Sequence, residues 1–558
     1  MQMHKEFYIG RKNGENSHSL DVSPFTSLEQ LTGTLAEVFA FADTKSLWLV
    51  DEQRNHLSTL KDVQETKDVI ELRATRHESI REPPGPRSLP FVGNRYELYP
   101  DVLGNYDRLF SLYGPMTKTV NMGTTIYHTN DPEISRHLLR EDKLFTKTTS
   151  DPSHPLHYMG GQEMLFTCDS ASPAFAPSHK FVPPTMSPRA VAHFMPLIQD
   201  ATQSIFTVFD ELAESDLAIN VYQYMFKLAS QIIWRVVLNQ DLKHFETPKT
   251  PPSLPIRLFG EYLSLMKKLS LKPRWFKYLP FGDAARLKIV QQQLFDICEE
   301  AMSATIDKDG PPLSLSDPTA LQSANCIADF LYRARDKDGE GLPDDLVLGN
   351  VVVSTGAGFT TSSSLLTWAL YALVRYPGNQ ERLFEEIVSH RGDTDKRWTY
   401  DEIHSMKFLD CFIKEVLRLH SPSFQTARNA KQDAILPGGY LIPKGSIVIA
   451  CFPSIQKNPA HWENPLRFDP ERWMKEGFAA QMARQGSYTP FAAGGRGCVG
   501  FNLALTQVKL VMAELVYRYE FEDSSPEAVV YDPEFLVVRP LNFYAGITRR
   551  KERRPLSH

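Results

Sequence analysis

The stretch from Phe491 to Gly500, F-A-A-G-G-R-G-C-V-G, sets one cysteine among four glycines and an arginine. A cysteine serves a metal ion as the thiolate, and a thiolate inside a protein needs backbone N–H groups and positive charge near its sulfur. Glycine lets the chain approach that closely and take positive φ, which is the expected use of Gly494, Gly495, Gly497 and Gly500. The run V-G-F-N-L-A-L-T-Q-V-K-L starts a helix just past the cysteine, and the positive end of that helix would stabilise a negative sulfur. Cys498 is therefore the candidate metal ligand. Cys168, Cys298, Cys326, Cys411 and Cys451 are scattered, with no C-x-x-C pair. They read as small core residues, and a reducing compartment suits them better than a disulfide framework.

The pattern F-x-x-G-x-R-x-C-x-G is met here at every fixed position. It resembles the signature of the cytochrome P450 family. The resemblance implies a mainly α fold with small β-sheets, and heme b bound through Cys498 as its axial thiolate. It further implies Phe491 packed beside the sulfur, Arg496 paired with a heme propionate, and Gly500 in the tight thiolate loop.

Glu415 and Arg418 stand three residues apart in F-I-K-E-V-L-R-L-H, on one helix face. F-D-P-E-R-W supplies Arg472 downstream. The three resemble the family's Glu-Arg-Arg triad, a buried set that is tolerated only when fully paired. Its implied role is to lock the thiolate loop. Arg428 stands where many family members place a propionate-binding arginine. His179, in F-A-P-S-H-K, resembles the histidine of the W-x-x-x-H element in the soluble bacterial and fungal fatty-acid hydroxylase branch. Phe175 takes the tryptophan position here.

The uncharged run from Val347 to Val374 reaches membrane-spanning length, but its asparagine, glycines and hydroxyls suit a buried helix that faces a cavity. Extended from Pro343 to Pro377, it would be about 50 Å long. By resemblance it crosses the oxygen side of the heme. Ala357 and Gly358 would leave room for dioxygen, and Thr361 would place a hydroxyl for proton delivery. An acid usually precedes that threonine. Here the position is Thr360, so protons would come through water, Ser362, Thr360 or a substrate hydroxyl, or the chemistry lies outside ordinary hydroxylation.

L-F-T-C, Leu165 to Cys168, precedes F-A-P-S-H-K as in the fatty-acid hydroxylase branch, and Phe166 would then hang over the heme and shape the substrate pocket. That branch anchors a carboxylate with an arginine and a tyrosine. The matching positions here are Thr124 and His128, so a larger apolar metabolite suits the site as well as a fatty acid does. No flavin domain is visible past the thiolate helix, and electrons are expected from a separate NADPH-dependent flavin reductase. The expected reaction inserts one atom of dioxygen into a small apolar substrate, a lipid or secondary metabolite. Two readings stand beside it: dehydration, rearrangement or oxidative coupling at the same heme, and heme binding without turnover. A net charge of −6 without a long basic tract argues against nucleic acid as a partner.

Residues 1–76 read as a separate small domain. E-F-Y-I-G-R, S-H-S-L-D-V, S-L-W-L-V-D-E and D-V-I-E-L-R-A are strand-like, with a turn at N-G-E-N, and a helix capped by Ser27 runs to Phe41. The ββαββ order resembles the β-grasp fold of ubiquitin. No cysteine precedes Cys168, which rejects an iron–sulfur ferredoxin and leaves an adaptor or folding appendage of unknown partner. A proline-rich linker over 77–94 leads to the catalytic domain, 95–550, and a basic tail, 551–558. The first residues lack an apolar segment and a cleavage site, so a cytoplasmic location is expected. Leu263 to Phe281 mixes lysines with apolar residues, which suits a lid, core packing, or peripheral contact with an anionic membrane such as the endoplasmic reticulum surface.

Overall fold

The computed structural model describes residues 3–550, apart from 11–15, 45–46, 68, 76–78, 160–162, 216, 318, 392–395 and 424. The 551–558 tail and most of the N-G-E-N turn lie outside the described residues. The chain starts with β1 (His4–Tyr8), β2 (Ser17–Asp21), α1 (Leu28–Val38), β3 (Trp48–Val50), α2 (Leu60–Glu65) and β4 (Ile70–Arg73). The strands form one sheet in the order β2-β1-β4-β3, with β1 and β4 parallel. Leu31 and Leu35 of α1 share an apolar cluster with Phe7, Ile70 and Leu72 of the sheet. Ser27 caps α1 as expected, its Oγ accepting from Gln30 N–H at 3.2 Å.

The helix stops at Val38, short of Phe41, because the chain turns away to pair with another element. Ala40 takes a left-handed φ of 54°. Ala42 N–H then donates to Ile435 O at 2.8 Å, and Ile435 N–H to Ala40 O at 2.9 Å. On the opposite edge of the same hairpin, Arg81 N–H donates to Gly439 O and Leu441 N–H to Arg81 O, both at 2.9 Å. Both outer edges of the hairpin Ala434–Leu436/Tyr440–Ile442 are thus covered by the N-terminal 81 residues. Ile435, 1% exposed, lies in the apolar cluster of the N-terminal sheet. A Cβ on Gly439 would come within 2.7 Å of Ala74 Cβ, so only glycine permits this approach. Ile435→Ala is expected to cost about 2–4 kcal/mol, the scale of a buried large-to-small change. Denaturant unfolding followed by tryptophan fluorescence should show the whole transition shift; an unmoved midpoint would contradict the docking.

The remainder is mostly helical. β5 (Met116–Asn121), β6 (Thr124–Thr129) and β7 (Phe145–Thr146) join two later strands in a sheet of order β5, β6, Ile447–Cys451, Gln425–Ala430, β7. Ile449 pairs with both His128 and Ala427, which brings the first hairpin beside the strand carrying Arg428. The helix Asp344–Arg375 runs for 32 residues through the core against Val221–Leu238, as the apolar run predicts. It ends just before the Tyr376-Pro377 step, where proline disfavours further helix. No described helix is long and apolar enough to cross a membrane. The Leu263–Phe281 stretch divides: Leu263, Leu265, Met266 and Leu269 are core, while Trp275, Tyr278 and Phe281 are exposed.

Candidate functional site

The thiolate loop forms by local hydrogen bonds. Cys498 N–H donates to Phe491 O at 2.9 Å, and Gly497 N–H to Gly494 O at 3.0 Å. The sequence expectation for the glycines needs correction. Only Gly494 has positive φ, and the second left-handed residue is Ala492, at 56°. A Cβ on Gly494 would sit 2.3 Å from Leu139 O, so this glycine serves both turn and packing. Gly495, Gly497 and Gly500 keep ordinary φ. The helix Phe501–Arg518 begins immediately after, with Gly500 at its N-cap. Burial pushes the Cys498 thiol upward in pKa, and a hydrogen bond from Gly500 N–H works against that. Cys498 is exposed and lines a cavity.

The charged triad behind the loop is complete. Arg418 donates to both Glu415 oxygens, Nε to Oε2 at 2.9 Å and Nη2 to Oε1 at 2.8 Å. Arg472 Nε adds a bond to Oε1 at 3.1 Å. Trp473 Nε1 donates to Oε2 at 2.9 Å and Asp469 N–H to Oε1 at 2.8 Å. The remaining Arg418 donors reach the carbonyls of Gln456, Pro465 and Arg467. Glu415 and Arg418 are both fully buried, and this saturation is what makes the burial tolerable. Trp473 escaped the sequence reading although it is the next residue after Arg472.

The loop borders a cavity of about 550 Å³, a usual size for a small-molecule site. Its lining includes Phe166, Ala357, Gly358, Thr360, Thr361, Phe491, Arg496, Cys498 and Gly500, together with His179 and Arg428. The structure therefore brings together all the candidates apart from the supporting triad. Phe166 is 44% exposed, opening onto this space, with Lys147 Nζ 4.1 Å from its ring centre. His179 lies at an exposed edge, its ring 5.4 Å from Phe175. Arg496 stacks on Phe175 at 3.8 Å, and its N–H groups go to Leu165 O, Cys168 O and Ser170 Oγ. The expected propionate partner of Arg496 thus competes with three protein acceptors.

Arg428 has the opposite character. It is 1% exposed, with Nε 2.8 Å from Glu141 Oε1, and its Nη2 has no hydrogen-bond partner among the described residues. Lys147 stands in the same cluster, and burial, then Arg496 and Arg428, push its pKa down to about 7. Arg428 pairs with Glu141, Lys147 and Arg496 lie close enough to act electrostatically within the same cluster, and the surplus is positive. Heme b carries two carboxylates on one edge. An orphaned arginine donor, surplus positive charge and a cavity-facing thiol fit that group. Neither Lys147 nor Glu141 was legible in the sequence, because no local pattern marks them.

On the opposite wall, Thr361 Oγ1 donates to Ala357 O at 2.9 Å, and Thr360 Oγ1 to Gly356 O at 2.9 Å. Thr360 is 4% exposed, with its hydroxyl turned back into the helix. Ala357 is open to the cavity. Gly358 lines the cavity and also serves helix packing, since the place of its missing Cβ is 2.9 Å from Ile233 Cδ1.

The chain matches the cytochrome P450 family over residues 83–545. It is 44% identical to the cytochrome P450 monooxygenase alnD of Emericella nidulans, over 98% of each chain. It is 25% identical to the bifunctional cytochrome P450/NADPH–P450 reductase ascE of Acremonium egyptiacum, over 85% of this chain and 44% of that protein. The crystal structure of the cytochrome P450DA heme domain superposes with a TM-score of 0.73 at 22% identity, covering 85% of this chain and 98% of that one. That likeness shows the fold. The family binds heme b through a cysteine thiolate, and the chain of 558 residues belongs to it: this protein is a member of the cytochrome P450 monooxygenase family.

Proposed function

We propose that Cys498 is the axial ligand of heme b and that the enzyme oxygenates a small, neutral, apolar secondary metabolite with electrons from a separate NADPH-dependent flavin reductase. The observation that carries the reading is a thiol that opens onto an apolar-walled cavity facing Ala357 and Thr361. Bound through the thiolate, the heme supplies dioxygen chemistry and oxygen transfer. The protein's own tasks are to hold the sulfur, seat the carboxylates and place a proton. Gly500 N–H and the helix end favour the thiolate. Arg428, Lys147 and, at the edge, His179 offer positive or donor groups to the propionates. Phe166 walls the substrate space. Thr361 holds a proton at Oγ1, one helical turn from the open Ala357.

Support for a neutral substrate comes from the first hairpin. Burial drives His128 down to about 3, so it is uncharged, and its Nε2 lies 2.8 Å from Thr119 Oγ1. Thr124 lines the same cavity, and none of the described hairpin residues that line it is a cation for a fatty-acid carboxylate. Within the N-terminal 76 residues, the strand order β2-β1-β4-β3 with a crossing helix supports a β-grasp unit. Its two backbone hydrogen bonds to the catalytic body, joined by two more at Arg81 in the linker, support a fixed structural part rather than a tethered adaptor.

Thr361→Ala is the test. Heme content and the carbon monoxide spectrum should stay as in the parent, while product per NADPH falls about tenfold or more, the scale on which positioned proton transfer acts. Hydrogen peroxide should rise to account for the lost electrons. Unchanged coupling would remove Thr361 from proton delivery.

A further inference from the structure

The helix that follows Cys498 and the helix that carries Thr361 are joined by one side chain whose role the reading above does not use. Gln507, on Phe501–Arg518, is 1% exposed and lines the cavity. Its Nε2 donates to Gly358 O at 3.2 Å and, in a shorter bond, to Ser362 Oγ. Gly358 follows Ala357, whose carbonyl accepts the Thr361 hydroxyl. From the far side, Ile233 fills the space beside Gly358. The turn bearing Thr361 is therefore gripped between Ile233 and Gln507. Gln507 Oε1 is buried with no hydrogen-bond partner among the described residues. An apolar residue there would avoid that cost, so what the amide contributes lies at its other end.

We propose that Gln507 is a positioning residue: it fixes the Ala357–Thr361 turn relative to the Cys498 loop, and so sets how well Thr361 delivers its proton. The inference rests on the proton role of Thr361 proposed above. It answers the loss of the usual acid. The Thr360 hydroxyl is turned into its own helix, so the fixed polar pair beside Thr361 is Ser362 with Gln507.

The test uses the full-length holoenzyme as Gln507→Leu, Ser362→Ala, Thr361→Ala and the double variant Thr361→Ala with Gln507→Leu. Three quantities are read: heme content with the reduced carbon monoxide spectrum, the C–O stretch of bound carbon monoxide, and hydrogen peroxide formed per NADPH. Gln507→Leu should keep its heme and thiolate-type spectrum, shift and broaden the C–O stretch, and raise peroxide about threefold. Ser362→Ala, which leaves the ligand helix untouched, should move both readouts the same way by less. Because Gln507 acts through Thr361, it should add no peroxide in the Thr361→Ala background; coupled positions are non-additive in this way. A C–O stretch and peroxide yield at parental values in Gln507→Leu would overturn the proposal, as would additive peroxide in the double variant. If Gln507→Leu fails to retain heme, the decision passes to Ser362→Ala, and parental values there overturn it. A Thr361→Ala enzyme that stays coupled would instead refute the proton role of Thr361, independently of the C–O shift.

Discussion

Cys498→Ala should give a folded protein whose reduced, carbon monoxide-bound spectrum lacks the thiolate-type Soret band, and whose product formation falls to background. The reason is electronic. Cys498 as a thiolate would supply the electron density that heme oxygen chemistry needs, and no other described side chain at that wall can replace it. The loop itself should survive, because it is built by the Cys498 N–H to Phe491 O bond, the Gly497 N–H to Gly494 O bond and the left-handed Ala492 and Gly494, none of which involves sulfur. Circular dichroism should therefore be unchanged while the absorption spectrum is not. A normal thiolate band in Cys498→Ala would remove the assignment and every role derived from it.

Glu415→Ala is expected to have the largest effect on stability, about 3–5 kcal/mol, the usual cost of leaving buried charge without its partner. Glu415 accepts from Arg418, Arg472, Trp473 and the Asp469 backbone, so its removal strands two guanidinium groups and an indole N–H at once. Glu415→Gln keeps the shape and part of the hydrogen bonding, and should lose less. Trp473→Phe removes a single bond to the carboxylate, about 1–2 kcal/mol. Denaturant melts and the rate of heme loss to an excess of apomyoglobin would rank the three. The expected order is Glu415→Ala, then Glu415→Gln, then Trp473→Phe. If Glu415→Ala melted like the parent, the triad would have no structural role.

The thiolate loop and the Glu415–Arg418 pair were legible because their chemistry is local. A sulfur that needs nearby N–H groups recruits glycines within a few residues, and a helical ion pair recurs at a spacing of three. The long helix was legible for the same reason, as a continuous uncharged run ending at a proline. The conformation of individual glycines was less legible. Ala492 took a left-handed turn that the pattern would assign to glycine, since the requirement there is one of backbone closure and not of residue type. The packing of Gly358 against Ile233 was not legible, because nothing near it in sequence announces that partner.

What the sequence alone determined is the candidate ligand, the family and the supporting pair, each set by groups close along the chain. The tertiary structure decided which charges meet. Lys147, Arg428, Arg496 and Glu141 come into one cluster only because the tertiary fold brings them there. It likewise decided that the first 81 residues cover both edges of the 434–442 hairpin. Backbone donors carry no side-chain signature, so their distant partners become visible only when the chain is folded.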